Sequence, residues 1–217
     1  VIQCAGQPGI GKSTLLLQIA DRIAANERVL IATGEERAEA IGTRARRLRC
    51  RHTGDIRLVA TRSPDRLRES ILKTQARFVI VDSLNSLRAD GEMRRHSQYA
   101  VRDIALDLVD FSHAENAYEG AHDPVTMVLV CHVNKSMDVS GVKEIEHMVD
   151  VAGWFRGQRN QRLRKFELEK NRFGATDNRA LFSMGPTGLI ELSEEQAAIE
   201  ERRERHAQQP IEIDDED

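Results

Sequence analysis

The chain has 217 residues, of which 40% are hydrophobic and 31% are charged, and its formal net charge is −3. This length suits one substantial globular domain, and the composition is typical of a soluble protein with a charged surface. No apolar run approaches the ~20 residues of a membrane-spanning helix, and the N-terminus lacks the basic start and cleavage site of a secretory signal. The chain opens directly on an apolar run without a methionine, so we expect the complete protein to have upstream residues.

The first 131 residues predict strands and helices in alternation. Predicted strands cover residues 1–5, 29–33, 56–60, 78–82 and 126–131, and predicted helices cover residues 13–25, 36–49, 63–74 and 98–114. Such alternation predicts a mostly parallel sheet covered by helices. Strand-like runs at residues 151–156, 163–170 and 179–183, separated by glycine turns, predict antiparallel strands that extend this sheet. The sequence therefore indicates an α/β domain over residues 1–192.

The remaining residues, 193–217, predict a charged helix followed by a partly disordered tail or linker. The last 24 residues hold ten acidic residues and three arginines, which leaves the rest of the chain with a net charge of +4. A mildly basic body is compatible with a polyanionic partner but does not demonstrate one. The cysteines, Cys4, Cys50 and Cys131, form no C-x-x-C pair, so we expect no zinc and a reducing, cytoplasmic setting.

A phosphate-binding motif follows the first predicted strand. The run GQPGIGKS at residues 6–13 matches G-x-x-x-x-G-K-[ST] at every fixed position and leads into a predicted helix. Glycines let backbone N–H groups turn toward a phosphate, and the helix N-terminus adds partial positive charge. We expect Lys12 to reach the phosphates and the Ser13 hydroxyl to bind Mg²⁺. The predicted nucleotide-binding residues are Gly6, Gln7, Pro8, Gly9, Ile10, Gly11, Lys12, Ser13 and Thr14.

Polar residues end three of the predicted parallel strands. Because the carboxyl ends of parallel strands meet at one edge of a sheet, these residues are expected near the phosphate loop. Asp82 is predicted to hold Mg²⁺ through a water, and Glu35 to polarise the attacking water. His132 is predicted to sense the terminal phosphate, although a lone histidine is more often structural. Glu36 is expected to favour the dipole of the following helix.

Two basic segments, residues 84–98 and 134–143, are predicted to be surface loops at the same edge. Their cations are candidate contacts to a nucleic-acid backbone, although ordinary solvated loops explain them equally well. These predicted DNA-binding residues are Arg88, Arg94, Arg95, Lys135 and Lys143.

Together these stretches resemble the ATPase core of the RadA (Sms) family, within the RecA-like P-loop superfamily. The resemblance covers residues 1–192 and includes the run KNRFG at residues 170–174, the most specific stretch. It implies a RecA-like fold and a DNA-stimulated ATPase that uses ATP and Mg²⁺. It further implies a ring, expected to be hexameric, that drives branch migration on single-stranded or branched DNA, with a recombinase as a candidate partner.

The resemblance also assigns individual roles. It implies that Glu35 is the catalytic carboxylate and His132 the sensor, and that Lys170 and Arg172 reach a neighbouring subunit's nucleotide or couple it to DNA. Charged residues at a strand edge that discourage aggregation are the alternative for Lys170 and Arg172. The family's four-cysteine zinc module and Lon-like domain have no counterpart in these residues. Two other classes stay open: a RecA-like ATP-hydrolysing switch that does not bind DNA, and a monomeric small-molecule kinase.

Overall fold

The computed structural model describes residues 1–88, 98–113, 124–133 and 140–208. The strands are β1 (Ile2–Gly6), β2 (Val29–Thr33), β3 (Ile56–Ala60), β4 (Phe78–Asp82), β5 (Thr126–His132), β6 (Val151–Gly157), β7 (Leu163–Asn171), β8 (Arg179–Gly185) and β9 (Gly188–Leu192). The helices are α1 (Lys12–Ile23), α2 (Ala38–Arg47), α3 (Pro64–Thr74), α4 (Gln98–His113), α5 (Ser140–Met148) and α6 (Glu194–Gln208). None of the helices in these ranges is both long enough and apolar enough to cross a bilayer.

All nine strands of the described ranges join one sheet, in the order β3-β2-β4-β5-β1-β6-β7-β8-β9. Strands β1 to β6 pair in parallel, and β6 to β9 pair in antiparallel. The predicted α/β architecture, a mostly parallel sheet with antiparallel strands added on its C-terminal side, is therefore confirmed.

Helices cover the two faces of the parallel part of the sheet. Apolar side chains of α1 and α2 pack on one face, and those of α3, α4 and α5 pack on the other. The central strands β1, β2 and β4 are buried almost end to end, which explains their continuous apolar sequences. Because these strands run in parallel, their carboxyl ends lie together at one edge of the sheet, where the helices do not cover them.

The start of α3 shows how local sequence sets an element boundary. Ser63 is the N-cap and its hydroxyl accepts a hydrogen bond from the backbone N–H of Arg66, while Pro64 occupies the first helical position. Proline suits that position because its fixed backbone angle is helical and the missing N–H would have no partner there. The helix ends at Thr74 and is followed by the C-cap residue Gln75, whose φ of 51° is left-handed. The predicted start and end of this helix are confirmed.

Two elements were not predicted from the sequence. Residues 140–143 belong to α5, so the prediction of a surface loop through residue 143 was wrong, and Lys143 lies exposed on a helix. Val142, Ile145 and Val149 are buried, and their spacing is that of one helical face. The other missed element, β9, completes a hairpin with β8 through the turn between Gly185 and Gly188.

The charged segment after residue 193 forms α6, which packs on the antiparallel strands. Ala197 is buried in a small cluster with Leu163 and Leu181. The Ser193 hydroxyl caps the helix by accepting a hydrogen bond from the N–H of Gln196, at 3.2 Å. Residues 209–217, the rest of the predicted tail, lie outside the described ranges.

Candidate nucleotide site

The phosphate motif forms the turn between β1 and α1. Gly9 and Gly11 have φ angles of 77° and 115°, in the left-handed region that favours glycine. Gly6 is constrained by space, because a Cβ there would lie 2.5 Å from the carbonyl oxygen of Phe155 in β6. The motif's glycines are therefore required by the backbone path of the loop and by the close approach of a neighbouring strand.

Lys12 begins α1 and lies beneath the loop, with only 3% of the residue exposed. Its ammonium donates hydrogen bonds to the carbonyl oxygens of Gly6, at 2.7 Å, and Gln7, at 3.0 Å. Burial lowers the pKa of Lys12, and the nearby carboxylates of Asp82 and Glu35 act in the opposite direction. A cation is thus held at the floor of the loop, where a phosphate's negative charge would balance it.

Asp82, the last residue of β4, lies beside the start of α1. Burial raises the pKa of Asp82, and a hydrogen bond from the Ser13 hydroxyl lowers it. A hydroxyl next to a carboxylate is a donor set that suits Mg²⁺, which usually adds waters and substrate phosphates rather than a full protein cage. The described residues contain no larger group of histidines, cysteines and carboxylates able to hold a metal. Ser13 and Asp82 therefore fit a nucleotide-bound Mg²⁺.

Glu35 follows β2, and its carboxylate is oriented by a neighbouring strand end. One carboxylate oxygen, Oε1, accepts a hydrogen bond of 2.5 Å from the hydroxyl of Ser83. The other, Oε2, lies 3.8 Å from Nε2 of His132. The Thr33 hydroxyl, at the end of β2, accepts hydrogen bonds from the N–H groups of Glu35 and Glu36, so it fixes the turn that carries both. Glu35 lines the same cleft as the phosphate loop.

Glu36 forms an ion pair with Arg44 of α2, with 2.6 Å between the Glu36 Oε1 and Arg44 Nη2 atoms. Arg44 thereby lines the cleft above the phosphate loop. Arg44 belongs to none of the sequence motifs, so its place in the cleft was not predicted. Glu36 lies just before α2, and its ion pair with Arg44 places both charges beside the cleft.

His132 is the last residue of β5, and a backbone hydrogen bond links it to the segment that follows β4. Its N–H donates a hydrogen bond of 2.9 Å to Oδ1 of Asn85. Burial lowers the pKa of His132, and the charge of Lys12 acts in the same direction. Its Nδ1 is buried without a hydrogen-bond partner in the described residues. The imidazole therefore lines the cleft beside the Glu35 carboxylate.

These residues line one cleft of about 400 Å³ at the carboxyl edge of the parallel strands. Its lining residues are Pro8, Gly9, Gly11, Lys12, Ser13, Thr14, Glu35, Glu36, Arg44, Asp82 and His132. The sequence predicted that Lys12, Ser13, Glu35, Asp82 and His132 would come together, and the structure brings them together.

Lys170 and Arg172 lie away from this cleft. Lys170 donates hydrogen bonds to the carbonyl oxygens of Glu146 and His147 at the end of α5, at 2.9 and 3.0 Å. Arg172 pairs with Asp150, which lies between α5 and β6, at 3.0 Å. Both cations therefore attach the KNRFG turn to the C-terminal end of α5 within the same chain.

Two of the predicted DNA-binding residues can be placed. Arg88 donates hydrogen bonds to the carbonyl oxygens of Asn85 and Leu87 in its own turn, at 2.9 and 2.6 Å. Lys143 lies exposed on α5. The other three, Arg94, Arg95 and Lys135, lie outside the described residues.

Sequence reasoning did not single out several side chains that support the site. Ser83 and Asn85 were passed over because short polar residues after a strand carry no pattern of their own. Arg159 and Arg164 contact the phosphate loop from more than 140 residues away. A single sequence has no signal for such a long-range contact.

A glycine-rich loop between a buried strand and a helix, with a carboxylate at the end of an adjacent parallel strand, defines a P-loop ATPase fold. Residues 1–138 match the family described as the AAA domain. The chain belongs to this family, and its predicted RecA-like assignment is consistent with it.

Curated relatives name the subgroup that the chain resembles. It is 35% identical over 208 residues to the DNA repair protein RadA of Streptococcus pyogenes serotype M3, covering 93% of this chain and 43% of the relative. It is 33% identical over 198 residues to the DNA repair protein RadA of Aquifex aeolicus, covering 91% of this chain and 43% of the relative. The predicted resemblance to the RadA ATPase core is confirmed, and the chain spans less than half the length of these relatives.

Solved structures show the same fold at low sequence identity. One of them, described as an ATPase domain, superposes with a TM-score of 0.72 at 12% identity, over 88% of this chain and 84% of that one. A DnaB-like replicative helicase superposes with a TM-score of 0.73 at 12% identity, over 88% and 57%. At this identity the likeness establishes the fold alone.

Proposed function

We propose that the chain is the ATP-hydrolysing core of an oligomeric, DNA-stimulated ATPase that acts in recombinational DNA repair. The observation that carries the proposal is the convergence of Lys12, Asp82, Glu35 and His132 on one cleft at the carboxyl ends of the parallel strands. The relatives' identity as DNA repair proteins supports the repair role. The likeness to a replicative helicase supports a motor rather than a kinase.

Hydrolysis follows from the charges that surround the cleft. The loop's N–H groups and the Lys12 ammonium stabilise negative charge on the phosphates. Glu35 accepts a proton from the attacking water, and the Ser83 hydrogen bond holds one carboxylate oxygen so that the other faces the cleft. A bound Mg²⁺, held by Ser13 and Asp82, would neutralise charge on the phosphate oxygens.

Coupling to DNA uses the segments that begin at the ends of β4 and β5. Asn85, just after β4, accepts a hydrogen bond from the backbone of His132 at the end of β5, so the two segments are linked where they begin. A shift of His132 on phosphate release would therefore move both the segment after β4 and the segment after β5. Arg88 and Lys143 supply positive charge for the phosphate backbone of single-stranded DNA without reading its bases.

The geometry of β6 and β7 supports a role for Lys170 and Arg172 between subunits. Because Val151 pairs with both Ile2 and Asn171, the KNRFG turn lies at the edge opposite the phosphate loop. Ile2 and Gly6, at the two ends of β1, are four residue steps or ~13 Å apart along the strand, and the phosphate loop lies beyond Gly6. Lys170 and Arg172 are therefore too far away to reach their own nucleotide cleft. Phe173, in the same turn, is 79% exposed and suits a subunit contact. We infer a ring in which each KNRFG turn faces the next subunit's nucleotide, and which drives branch migration.

ATP turnover with and without single-stranded DNA tests this function directly. We expect DNA to increase the turnover rate at low salt, and the increase to fall steeply with added salt because phosphate contacts displace counterions. ADP release is measured by a coupled assay on the same preparation. Turnover without any increase at low salt would favour the RecA-like switch that does not bind DNA. A strictly monomeric profile in the presence of a non-hydrolysable ATP analogue would favour the kinase.

A further inference from the structure

Four carbonyl groups of the phosphate loop accept hydrogen bonds from cationic side chains. Lys12, which lines the cleft, donates to the Gly6 oxygen at 2.7 Å and to the Gln7 oxygen at 3.0 Å. The Pro8 oxygen accepts a bond of 2.7 Å from Arg159, and the Ile10 oxygen accepts one of 2.9 Å from Arg164. The two arginines belong to the hairpin that joins β6 to β7, so the antiparallel part of the sheet holds the phosphate loop.

These bonds fix the direction of the loop's N–H groups. In a trans peptide the C=O and the following N–H point in opposite directions, and the peptides of this loop are trans. Holding the carbonyls of Pro8 and Ile10 toward the hairpin therefore turns the N–H groups of Gly9 and Gly11 the other way. Gly9 and Gly11 both line the cleft. The arginines thus aim the groups that would bind a phosphate.

Arg164 is an unusual residue for this position because only 4% of it is exposed. It donates its remaining hydrogen bonds to the carbonyl oxygens of Gln161 and Leu163. Burial lowers the pKa of Arg164, and the charge of Glu204 offsets only part of that effect. Gly157 leaves the space that it occupies, since a Cβ there would lie 2.7 Å from Cδ of Arg164. A buried cation whose charge is only partly balanced is costly. A phosphate bound on the other side of the loop would offset that cost.

We propose that Arg164 and Arg159 are positioning residues for the nucleotide's phosphates: they orient the loop's amides and add positive charge behind them. The proposal rests on the nucleotide site proposed above and extends it to residues outside the P-loop motif. It predicts that the hairpin sets affinity for the phosphates rather than the rate of the hydrolytic step, because neither arginine lines the cleft.

The test is a fluorescence titration with mant-ADP, together with KM and kcat for ATP, on the wild type and four variants. Arg164→Gln removes the charge and the paired donors, Arg164→Lys keeps the charge with fewer directed donors, and Arg159→Gln removes the exposed partner. Arg162→Gln is the matched control, since Arg162 lies in the same hairpin and its guanidinium bonds to Met184 instead of the phosphate loop.

We expect the Kd for mant-ADP to rise about tenfold in Arg164→Gln and about threefold in Arg159→Gln, with Arg164→Lys between Arg164→Gln and the wild type. KM for ATP should rise in parallel while kcat at saturation stays within about twofold, because the hydrolytic groups are unchanged. Arg162→Gln should bind like the wild type.

A lower melting temperature in Arg164→Gln with an unchanged Kd would overturn the proposal, because it would show a purely structural arginine. If Arg164→Gln does not fold, Arg159→Gln tests the proposal, because the Arg159 side chain is exposed and its loss should not prevent folding. A Kd of Arg159→Gln within experimental error of the wild-type Kd then overturns the proposal. The variant Lys12→Ala tests the proposed nucleotide site separately from the proposed role of the arginines. If the wild type binds mant-ADP and Lys12→Ala does not, the nucleotide site is supported whatever the arginine variants show. If the wild type does not bind mant-ADP, both the nucleotide site and the role of the arginines are overturned.

Discussion

At the scale of single residues, Glu35 is the group on which hydrolysis is proposed to depend. Its carboxylate lies between the Ser83 hydroxyl and the His132 imidazole, and both sit at ends of parallel strands. Glutamine at this position keeps the size and one hydrogen-bond acceptor but cannot take a proton from water. A comparison of the two side chains therefore isolates proton transfer from binding.

We predict that Glu35→Gln lowers ATP turnover at least ~100-fold, as expected for loss of a general base, while the Kd for mant-ADP changes less than about threefold. Steady-state ADP release and mant-ADP titration measure the two quantities. Glu39→Gln, an exposed acid in the first turn of α2, is the control and should behave like the wild type. Residual turnover above a tenth of the wild-type rate would assign the base to another residue.

How far the sequence predicts the site depends on whether a residue belongs to a pattern. Lys12 and Ser13 are fixed by the phosphate motif, and Asp82 by its place at the end of an apolar strand. Arg164 and Asn85 belong to no such pattern, because their roles arise from contacts between distant parts of the chain. The difference between these two groups of residues has a physical cause. Local sequence spacing determines a turn or a strand end, whereas the partners of a side chain depend on tertiary packing.

At the scale of elements, the same distinction explains which helices and strands were predicted. Strands β2, β3 and β4 were predicted with their observed ends, since each is a short run bounded by polar or turn residues. Helix α5 was missed because Ser140 and Gly141 favour a loop, although its later apolar residues are buried against the sheet. Strand β9 was missed because five residues after a glycine turn become a strand only when β8 supplies the pairing.

Asp150, which lies between α5 and β6, contacts residues from three other parts of the chain. Its carboxylate accepts hydrogen bonds from the Val1 nitrogen, at 2.5 Å, from His113 at the end of α4, at 2.9 Å, and from Arg172, at 3.0 Å. Burial alone would raise the pKa of Asp150, but the hydrogen bond from the Val1 nitrogen and then the one from His113 lower it. Because the folded pKa lies below the ordinary value of 3.8, the carboxylate stabilises the fold fully above that value and loses its effect as the pH falls toward 2.

We predict that Asp150→Asn lowers the free energy of unfolding by about 1–3 kcal/mol at pH 7, the usual range for hydrogen bonds to a charged group. The difference from the wild type should shrink as the pH falls from about 4 to about 2. Urea unfolding followed by the fluorescence of Trp154, the single tryptophan, measures it. Asp177→Asn, at an exposed position between β7 and β8, is the control. A constant difference across that pH range would exclude an ionic role for Asp150.

At the scale of the whole molecule, the proposed active unit is a pair of neighbouring subunits. Lys170 and Arg172 lie at the edge of the sheet opposite the phosphate loop and are tied to α5 and Asp150. Each site would then combine one subunit's Glu35 with the next subunit's Lys170. Such a division makes hydrolysis depend on assembly, because an isolated subunit lacks the cation that stabilises transition-state charge.

Mixing two inactive variants tests this division. We expect Lys170→Ala alone to bind ATP nearly as the wild type does but to lose DNA-stimulated turnover, and Glu35→Gln alone to be inactive. In a 1:1 mixture, random assortment around a ring gives up to roughly a quarter of interfaces with an intact Glu35 facing an intact Lys170. Turnover with DNA should therefore exceed that of either variant. The control mixture pairs Lys170→Ala with the double variant Glu35→Gln/Lys170→Ala, which contains no intact interface. Equal turnover in the two mixtures would show that Lys170 does not act across subunits.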